Sequence, residues 1–203
     1  MSATTAGPDG KARCKWHASA PEFLHYHDEE WGFPVADDRR LFEKLSLEGF
    51  QSGLSWRTIL AKRENFRAAF HDFDFDRIAR FTSRDVQRLL KDASIIRHRG
   101  KIEAIINNAR RAQEMVKREG SLAAFLWRFE AKVDRMAKPQ TASTSAESIA
   151  LSKELKKLGW KFVGPTTVYA FMQAMGLIND HAEGCVIRSK VDRARKGFVR
   201  PGR

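Results

Sequence analysis

The sequence contains little cysteine and no long apolar run. Cys14 and Cys185 are its only two cysteines in 203 residues, so a disulfide scaffold is excluded and a reducing compartment is expected. No apolar stretch approaches the roughly 18 residues that a membrane-spanning helix requires. Residues 1–12 lack the apolar core of a secretion signal and are predicted to form a disordered N-terminal tail. These absences indicate a protein of the cytoplasm that has no membrane partner.

Patterns typical of β-strands are nearly absent, and the chain shows no internal repeat. Hydrophobic residues make up 42% of the chain, including fourteen Phe and five Trp, which is enough for a sizeable core. Apolar residues recur at helical spacing along most of the sequence. The sequence therefore predicts an all-α fold in one domain, residues 13–187.

Capping residues predict where several helices begin. The predicted starts are Asp37-Asp38 before residues 39–45, Ser83 before residues 85–93, Ser145 or Ser148 before a helix that stops at Gly159, and Pro165 in the first turn of the last helix. A continuous helical pattern also covers residues 55–70. Residues 138–144 hold no apolar side chain larger than Ala and are predicted to form an exposed linker.

The chain is strongly basic, with a formal net charge of +12. Half of this charge lies in residues 188–203, a basic C-terminal tail in which seven Lys or Arg stand against the single Asp192. The remaining body is still basic, which favours a polyanion such as nucleic acid as the partner. Charge alone leaves open the alternative of a protein that is merely cationic and soluble.

Each cysteine has a histidine at ligand-like spacing, Cys14 with His27 and Cys185 with His181. Two thiolates and two imidazoles form a complete tetrahedral zinc set with no position open for a substrate, so such a site would be structural. The alternative is that each cysteine is a small buried hydrophobic residue. The spacing from Cys14 to His27 is not that of a standard zinc finger, and both interpretations stay open at this point.

A short turn between two helical patterns predicts a hairpin over about residues 85–118. A helix-hairpin-helix presents the backbone N–H groups of a helix N-terminus to a DNA phosphate. Arg97, Arg99 and Lys101 would add positive charge at this turn. The alternative is an ordinary pair of helices with a solvated basic face, because the turn holds only one glycine, Gly100.

Residues 48–56 follow a predicted helix and have an unusual composition. Enzymes that act on a nucleobase extract it from the stack, hold it against aromatic faces and bind its edge. Glu48, Tyr26 and Trp56 are residue types suited to that work, and Leu54 is a candidate wedge for the space that the base leaves. Taken singly, each has a simpler interpretation as a core aromatic, a helix-end carboxylate or a packing residue.

Several segments resemble the 3-methyladenine DNA glycosylase I family of the helix-hairpin-helix DNA glycosylase superfamily. The similar segments occur in family order and span residues 13–185, which is nearly the whole chain without its tails. They are residues 14–16, 26–32, 47–56, 95–102, 161–167, 169–176 and 180–181. So many segments in one order make the resemblance specific.

The resemblance implies two helical lobes, with the N- and C-terminal segments joined by one structural zinc per chain. The implied ligands are Cys14, His27, His181 and Cys185. The implied activity is DNA base-excision repair by a monofunctional enzyme that flips the base, recognises its positive charge and hydrolyses the N-glycosidic bond of 3-methyladenine. The implied partner is alkylated double-stranded DNA, and the implied state is a monomer at the nucleoid of a bacterial cytoplasm. The alternatives are a non-catalytic protein that binds alkylated DNA on the same fold and a general zinc-stabilised DNA-binding protein.

The resemblance also implies roles for individual residues. Glu48 would be the catalytic residue, and Tyr26, Trp56, Trp16 and Glu48 would bind the base. The implied DNA contacts are Leu54, Gln51, Arg97, Arg99, Gly100 and Lys101.

The chain departs from the family pattern in two places. Phe23 stands where some members have Tyr, and Ser94 stands where relatives often have Gly. In addition, no Asp lies between Ala93 and Val133, so the aspartate that many related glycosylases place after the hairpin is missing. Selectivity is therefore expected to depend on recognition of the base.

Overall fold

The computed structural model describes residues 3–131 and 138–202, and in these ranges it confirms an all-α fold. The helices are α1 Phe23–Glu29, α2 Asp38–Gln51, α3 Trp56–Ala61, α4 Arg63–Ala69, α5 Phe75–Ile78, α6 Ser83–Lys91, α7 Arg99–Glu119, α8 Leu122–Leu126, α9 Ala146–Lys157, α10 Pro165–Ala174 and α11 Arg188–Gly197. Short 3-10 turns occur at Lys15–Ser19, His71–Phe73 and Trp127–Phe129. Within the described part of the chain, no helix combines the length and apolar character needed to cross a bilayer.

The N-terminal segment differs from the disordered tail expected for residues 1–12. Strands β1 (Thr4–Ala6) and β2 (Ala12–Cys14) pair as an antiparallel hairpin, while residues 1 and 2 lie outside the described residues. The buried guanidinium of Arg13 stabilises the hairpin, because it donates to the carboxylates of Asp9 and Asp28. Strands of three residues are too short to show an alternating pattern in the sequence.

Most predicted helix starts are confirmed by hydrogen bonds at the caps. The Asp37 carboxylate accepts from the backbone N–H of Arg40 at 2.8 Å, and Ser145 forms a reciprocal capping box with Ser148. Pro165 occupies the first turn of α10, as expected. The cap of α6 is Thr82, one residue before the predicted Ser83.

Two helix boundaries differ from the prediction in ways that matter for the site. The pattern over residues 55–70 is divided into α3 and α4 at Lys62, whose backbone leaves the helical region. Helix α2 continues through Gln51, so Glu48 lies inside this helix and does not follow it. The helix is buried on several sides there, packing against α7, α8 and α10, and tertiary contacts therefore extend it.

The loop before α2 is closed tightly against the end of α10. Gly176 has a φ of +78°, and a Cβ there would lie 2.5 Å from the backbone nitrogen of Pro34. Only glycine allows this approach. Backbone hydrogen bonds from Gly32 to Ala174 and from Val35 to Met175 hold the same junction. The junction fixes the chain that immediately precedes α2.

The segment predicted as a basic C-terminal tail, residues 188–203, begins as a packed helix. In α11, Val191 is fully buried and Arg195 donates to the Glu130 carboxylate at 2.9 Å. Arg195 also donates to the carbonyl of Leu177. The first part of this segment therefore belongs to the folded body, and part of its charge is paired there.

Candidate functional site

The two ends of the chain meet at a buried cluster of two cysteines and two histidines, here called the Cys2His2 cluster. Cys14 ends β2, His27 lies in α1, and His181 and Cys185 lie in the loop between α10 and α11. The four ligand atoms lie within 4.8 Å of one another, and all four residues are buried. The cluster could therefore hold a metal ion.

Neighbouring groups orient both imidazoles. The Nδ1 atom of His27 lies 2.7 Å from the Asp28 carboxylate, which the guanidinium of Arg13 also binds. The Nε2 atom of His181 lies 2.9 Å from the carbonyl oxygen of Trp31. These contacts leave Nε2 of His27 and Nδ1 of His181 facing the sulfur atoms. Such outer contacts are typical of histidines that bind metals.

The surroundings of Cys185 favour a thiolate. Its hydrogen bond with Cys14, followed by those with the rings of His181 and His27, lowers the pKa of this thiol, while the same sulfur–sulfur hydrogen bond raises the pKa of Cys14. The backbone N–H of Ala182 also donates to the sulfur of Cys14. Metal ligation requires both sulfur atoms as thiolates, so a bound metal would displace the proton that the two cysteines share.

A cavity of about 260 Å³ lies beside the Cys2His2 cluster. Its lining is mostly aromatic and comes from α1, α2, α3, α10 and the 3-10 turn near the N-terminus. The lining residues are Trp16, Phe23, Tyr26, Trp31, Glu48, Gln51, Trp56, Ala170 and Gln173. The structure thus brings together all four residues predicted to bind a base.

The aromatic walls of the cavity are packed against one another. The rings of Trp16 and Trp31 meet edge to face with centroids 5.1 Å apart. The rings of Tyr26 and Trp56 are tilted with centroids 5.6 Å apart. Phe23 packs edge to face on Trp16, so the residue that departs from the family pattern lies on the cavity wall without a hydroxyl group. Mutual ring packing keeps the cavity preformed.

A buried lysine connects the polar groups at this cavity. The ammonium of Lys44 lies 2.7 Å from a carboxylate oxygen of Glu48, one helical turn later in α2. It also donates to the hydroxyl oxygen of Tyr26 at 2.7 Å and lies 3.3 Å from the ring centroid of Trp56. Because Tyr26 accepts this hydrogen bond, its own O–H remains able to donate to a ligand.

Burial controls the protonation of these groups. It raises the pKa of Tyr26 well above the ordinary value, with the negative charge of Glu48 acting in the same direction, so the phenol stays neutral. Burial also lowers the pKa of Lys44, while the Glu48 carboxylate opposes that shift. A second ion pair, between Glu30 and Arg63, lies near enough to affect both groups.

The Cys2His2 cluster and the cavity share part of their walls. Tyr26 precedes the cluster residue His27 in α1. The carbonyl of Trp31 binds the cluster residue His181, while the ring of Trp31 lines the cavity. The ring of Trp16 packs edge to face on His27 with centroids 5.0 Å apart. The cluster therefore positions three aromatic residues of the cavity.

The turn between α2 and α3, residues 52–55, presents an apolar side chain to solvent. Leu54 is 40% exposed, which is unusual for a large hydrophobic residue in this chain. Gly53 before it has a φ of +78°, and Ser55 after it caps α3 by accepting from the N–H of Thr58. Gln51, at the end of α2, lines the cavity beside this 52–55 loop.

The predicted hairpin is formed by α6, the turn of residues 92–98, and α7. Arg97, Arg99 and Gly100 are exposed at the N-terminus of α7, where the ring of His98 accepts from the N–H of Lys101. Ser94 has no left-handed φ, so the turn accommodates a side chain where relatives often have glycine.

Lys101 differs from the prediction that its side chain contacts DNA. The residue is buried, and its ammonium donates to the carbonyl oxygen of Phe50 at 2.8 Å and to that of Ser52. These carbonyls belong to the C-terminal end of α2, where backbone acceptors lack helical partners and favour a cation. The ammonium of Lys101 therefore stabilises the C-terminal end of α2 inside the protein.

Three lining residues, Trp31, Ala170 and Gln173, were not predicted from the sequence. Lys44, which contacts three side chains of the lining from behind, was not predicted either. Lys44 carries a signal that could have been used, because it lies four residues before Glu48 and so shares its helix face. Trp31 is part of a segment that shows the family resemblance, but nothing in its pattern points to the cavity. Ala170 and Gln173 reach the cavity through the packing of α10 on α2, which the sequence does not reveal.

Comparisons with known proteins give one consistent family. The family model described as methyladenine glycosylase matches residues 16–189. The chain is similar to DNA-3-methyladenine glycosylase 1 of Escherichia coli, with 50% identity over 85% of this chain and 95% of the relative. It is also similar to DNA-3-methyladenine glycosylase of Haemophilus influenzae, with 45% identity over 85% and 96% of the two chains. A solved structure of 3-methyladenine DNA glycosylase I from Staphylococcus aureus, concerned with 3-methyladenine recognition, matches with a TM-score of 0.79, 37% identity and coverage of 86% and 95%.

The buried role of Lys101 predicts that Lys101→Met lowers the free energy of unfolding by about 1–3 kcal/mol, because two carbonyls lose their donor. The matched variant Arg99→Met removes an exposed charge from the same helix turn and should change stability by less than about 0.5 kcal/mol. Urea unfolding followed by circular dichroism measures both. Equal stability of the two variants would contradict the internal role of this ammonium.

Proposed function

This chain belongs to the methyladenine glycosylase family, and we propose that it removes 3-methyladenine from alkylated double-stranded DNA as a monofunctional base-excision repair enzyme. The observation that carries the proposal is the aromatic cavity of about 260 Å³ in which Glu48, Tyr26 and Trp56 meet. A cavity of this kind accepts a base that has been flipped out of the duplex. We further propose that the enzyme works as a monomer at the bacterial nucleoid.

The base stacks on aromatic faces and is bound at its edge. Trp56 supplies a stacking face and Trp16 forms another part of the aromatic wall, with stacking worth roughly 1–3 kcal/mol per base. The O–H of Tyr26 donates to a ring nitrogen. Glu48 has one carboxylate oxygen on Lys44, and its other oxygen has no partner among the described residues. That oxygen accepts from the base edge and favours a ring with positive charge.

The chemistry requires little acid catalysis. In DNA, 3-methyladenine carries a positive charge, so the C1′–N9 bond breaks with its electron pair moving to the base and neutralising the ring. Water then adds to C1′ and loses a proton. Glu48 contributes by binding the cationic base, and the ammonium of Lys44 is paired with Glu48 instead of attacking the sugar. Hydrolysis without a covalent intermediate follows.

The DNA surface combines a wedge with a phosphate-binding helix end. Leu54 enters the space that the flipped base leaves, while Gln51 lies between the wedge and the cavity. The exposed N-terminus of α7, with Gly100, Arg97 and Arg99, binds a backbone phosphate through its N–H groups and positive charge. The basic net charge supports this partner.

Zinc is the metal that we assign to the Cys2His2 cluster. With Zn–S bonds of about 2.3 Å and Zn–N bonds of about 2.0–2.1 Å, tetrahedral geometry separates sulfur from nitrogen by about 3.6 Å. The three sulfur–nitrogen contacts in the cluster measure 3.5, 3.6 and 3.6 Å. A four-ligand set of this type is structural and leaves the cavity chemistry to the side chains.

The zinc assignment predicts one zinc per chain by elemental analysis. His27→Ala should lower the Tm by roughly 10 °C or more, because metal binding contributes to the free energy of folding. For a protein of this size, a loss of about 1 kcal/mol lowers the Tm by about 2–4 °C. His17→Ala is the matched control, since His17 is also buried but lies outside the cluster. It should retain the metal. Metal-free purified protein, or equal zinc loss in both variants, would refute the assignment.

The base-binding role of Glu48 predicts that Glu48→Gln releases 3-methyladenine from methylated DNA tens-fold more slowly, well short of the roughly 10²–10⁴ lost with a general acid or base. The variant keeps the shape but leaves the charge of Lys44 uncompensated, so it also binds the free base less tightly. Trp56→Ala should weaken binding of all bases by removing the stacking face. Chromatography of the released bases measures these effects.

Glu29→Gln is the control for these cavity variants, because it makes the same change at an exposed position of α1. It should behave like the parent. Full activity of Glu48→Gln, or release of 7-methylguanine by the parent as fast as 3-methyladenine, would overturn this account of selectivity. Absence of base release by the parent would favour a protein that only binds damaged DNA.

The wedge role predicts that Leu54→Ala slows base release from duplex DNA by roughly ten-fold while leaving free-base affinity unchanged, because extrusion of the base requires a filler for the gap in the stack. Ile149→Ala is the matched control, since Ile149 is 53% exposed on α9. Single-turnover rates on duplex and on single-stranded substrate separate the steps. An equal effect on both substrates would contradict the wedge.

A further inference from the structure

Lys44 is a buried cation behind the wall of a cavity that is proposed to bind a cationic base, and it contacts three side chains that line this cavity. Its side chain is 7% exposed, and its ammonium is directed at three groups. These are the carboxylate of Glu48 at 2.7 Å, the hydroxyl of Tyr26 at 2.7 Å and the ring of Trp56 at 3.3 Å from the centroid. A carboxylate, a hydroxyl oxygen and an aromatic face are all groups that attract a positive charge.

We propose that Lys44 is a specificity-determining residue, an internal cation that neutralises Glu48 and thereby sets how strongly the cavity prefers a charged base over a neutral one. This inference rests on the proposed function, because the same three groups bind the substrate base. A cationic base brought to Glu48 also approaches the ammonium of Lys44. Part of the attraction of the carboxylate is therefore offset by repulsion between like charges.

The charges around the cavity balance in pairs. Glu48 is paired with Lys44, and Glu30 is paired with Arg63, whose guanidinium donates to it at 2.9 Å. Neither pair contributes a net charge. The difference in affinity between a cationic and a neutral base is therefore smaller here than it would be beside an unpaired carboxylate. Recognition then depends more on shape, stacking and hydrogen bonds than on the charge of the base.

Burial makes the effect of Lys44 large. Both side chains of the Lys44–Glu48 pair are almost fully removed from solvent, where charges are screened weakly. Burial lowers the pKa of Lys44, and the Glu48 carboxylate 2.7 Å away opposes this shift and so favours the charged ammonium. The pair is also anchored within one turn of α2, so Lys44 cannot move far from the carboxylate when a base enters.

Two isosteric ligands isolate the effect of charge. The 3,9-dimethyladeninium ion is a fixed cation, and 3,9-dimethyl-3-deazaadenine is a neutral compound of nearly the same shape. Their dissociation constants are measured by titration calorimetry for the parent, Lys44→Met, Lys44→Arg and Arg40→Met. Arg40 is an exposed cation of the same helix, so Arg40→Met removes an equal charge away from the cavity.

In Lys44→Met, the preference for the cation over its neutral isostere should increase by roughly ten-fold or more, because Glu48 loses its internal partner. Lys44→Arg and Arg40→Met should keep the preference of the parent. The double variant Lys44→Met with Glu48→Gln should lose the gain, since both charges are then removed. An unchanged or lower preference in Lys44→Met would overturn the role of Lys44.

Lys44→Gln provides a second test if Lys44→Met does not fold, because the amide still donates to Glu48 and Tyr26 without carrying a charge. It should show the same increase in preference, and an unchanged preference would overturn the proposal. Base release by the parent from methylated DNA separates this outcome from failure of the proposed function. If the parent releases 3-methyladenine but the Lys44 variants keep its preference for the cation, only the proposed role of Lys44 is refuted. If the parent binds neither ligand, the proposed function is refuted as well.

Discussion

The structure depends on the meeting of the two chain ends at the Cys2His2 cluster. The backbone N–H of Val186 donates to the carbonyl of Ala12, and the sulfur of Cys14 accepts from the N–H of Ala182, so the ends are joined by more than the four side chains of the cluster. The cavity wall is attached to this junction through Trp31, whose carbonyl binds His181. A change at the chain ends is therefore expected to alter the geometry of the cavity, although the chain ends and most cavity residues are far apart in sequence. This is how a small all-α protein can keep a preformed aromatic cavity open beside its core.

The cavity contains charges that a core optimised for stability would not include. Removing a lysine and a glutamate from water costs free energy that their mutual attraction repays only when the geometry is good, and apolar replacements of buried pairs are often neutral or stabilising. The Lys44–Glu48 pair has that geometry, with Tyr26 as a further partner of the ammonium. Its position beside the cavity is explained by ligand selection better than by stability.

Features set by local chemistry could be predicted from the sequence, while features set by packing could not. The capping oxygen of Asp37 and the ring constraint of Pro165 act within one helical turn, so their effects are visible in a short window. The two Cys–His pairs of the Cys2His2 cluster could be suggested from residue type and spacing, and the structure brings all four residues together. In contrast, the contact of Lys101 with Phe50 spans 51 residues, and no local pattern distinguishes it from the exposed Arg99 two residues earlier. The side chain of Lys44 likewise points inward because α2 is buried on several sides. A charged residue within a helical pattern gives no sign of this burial in the sequence.

The position of Lys101 joins the two surfaces that are proposed to contact DNA. Its backbone N–H is capped by His98 at the start of α7, while its ammonium binds the carbonyls at the end of α2, immediately before Leu54. One residue thus fixes the distance between the phosphate-binding helix end and the wedge. Gln51, in the same stretch, links the wedge to the cavity. In the proposed function, a duplex held at the hairpin is placed in a set register to Leu54 and to the cavity, because one side chain connects the two surfaces.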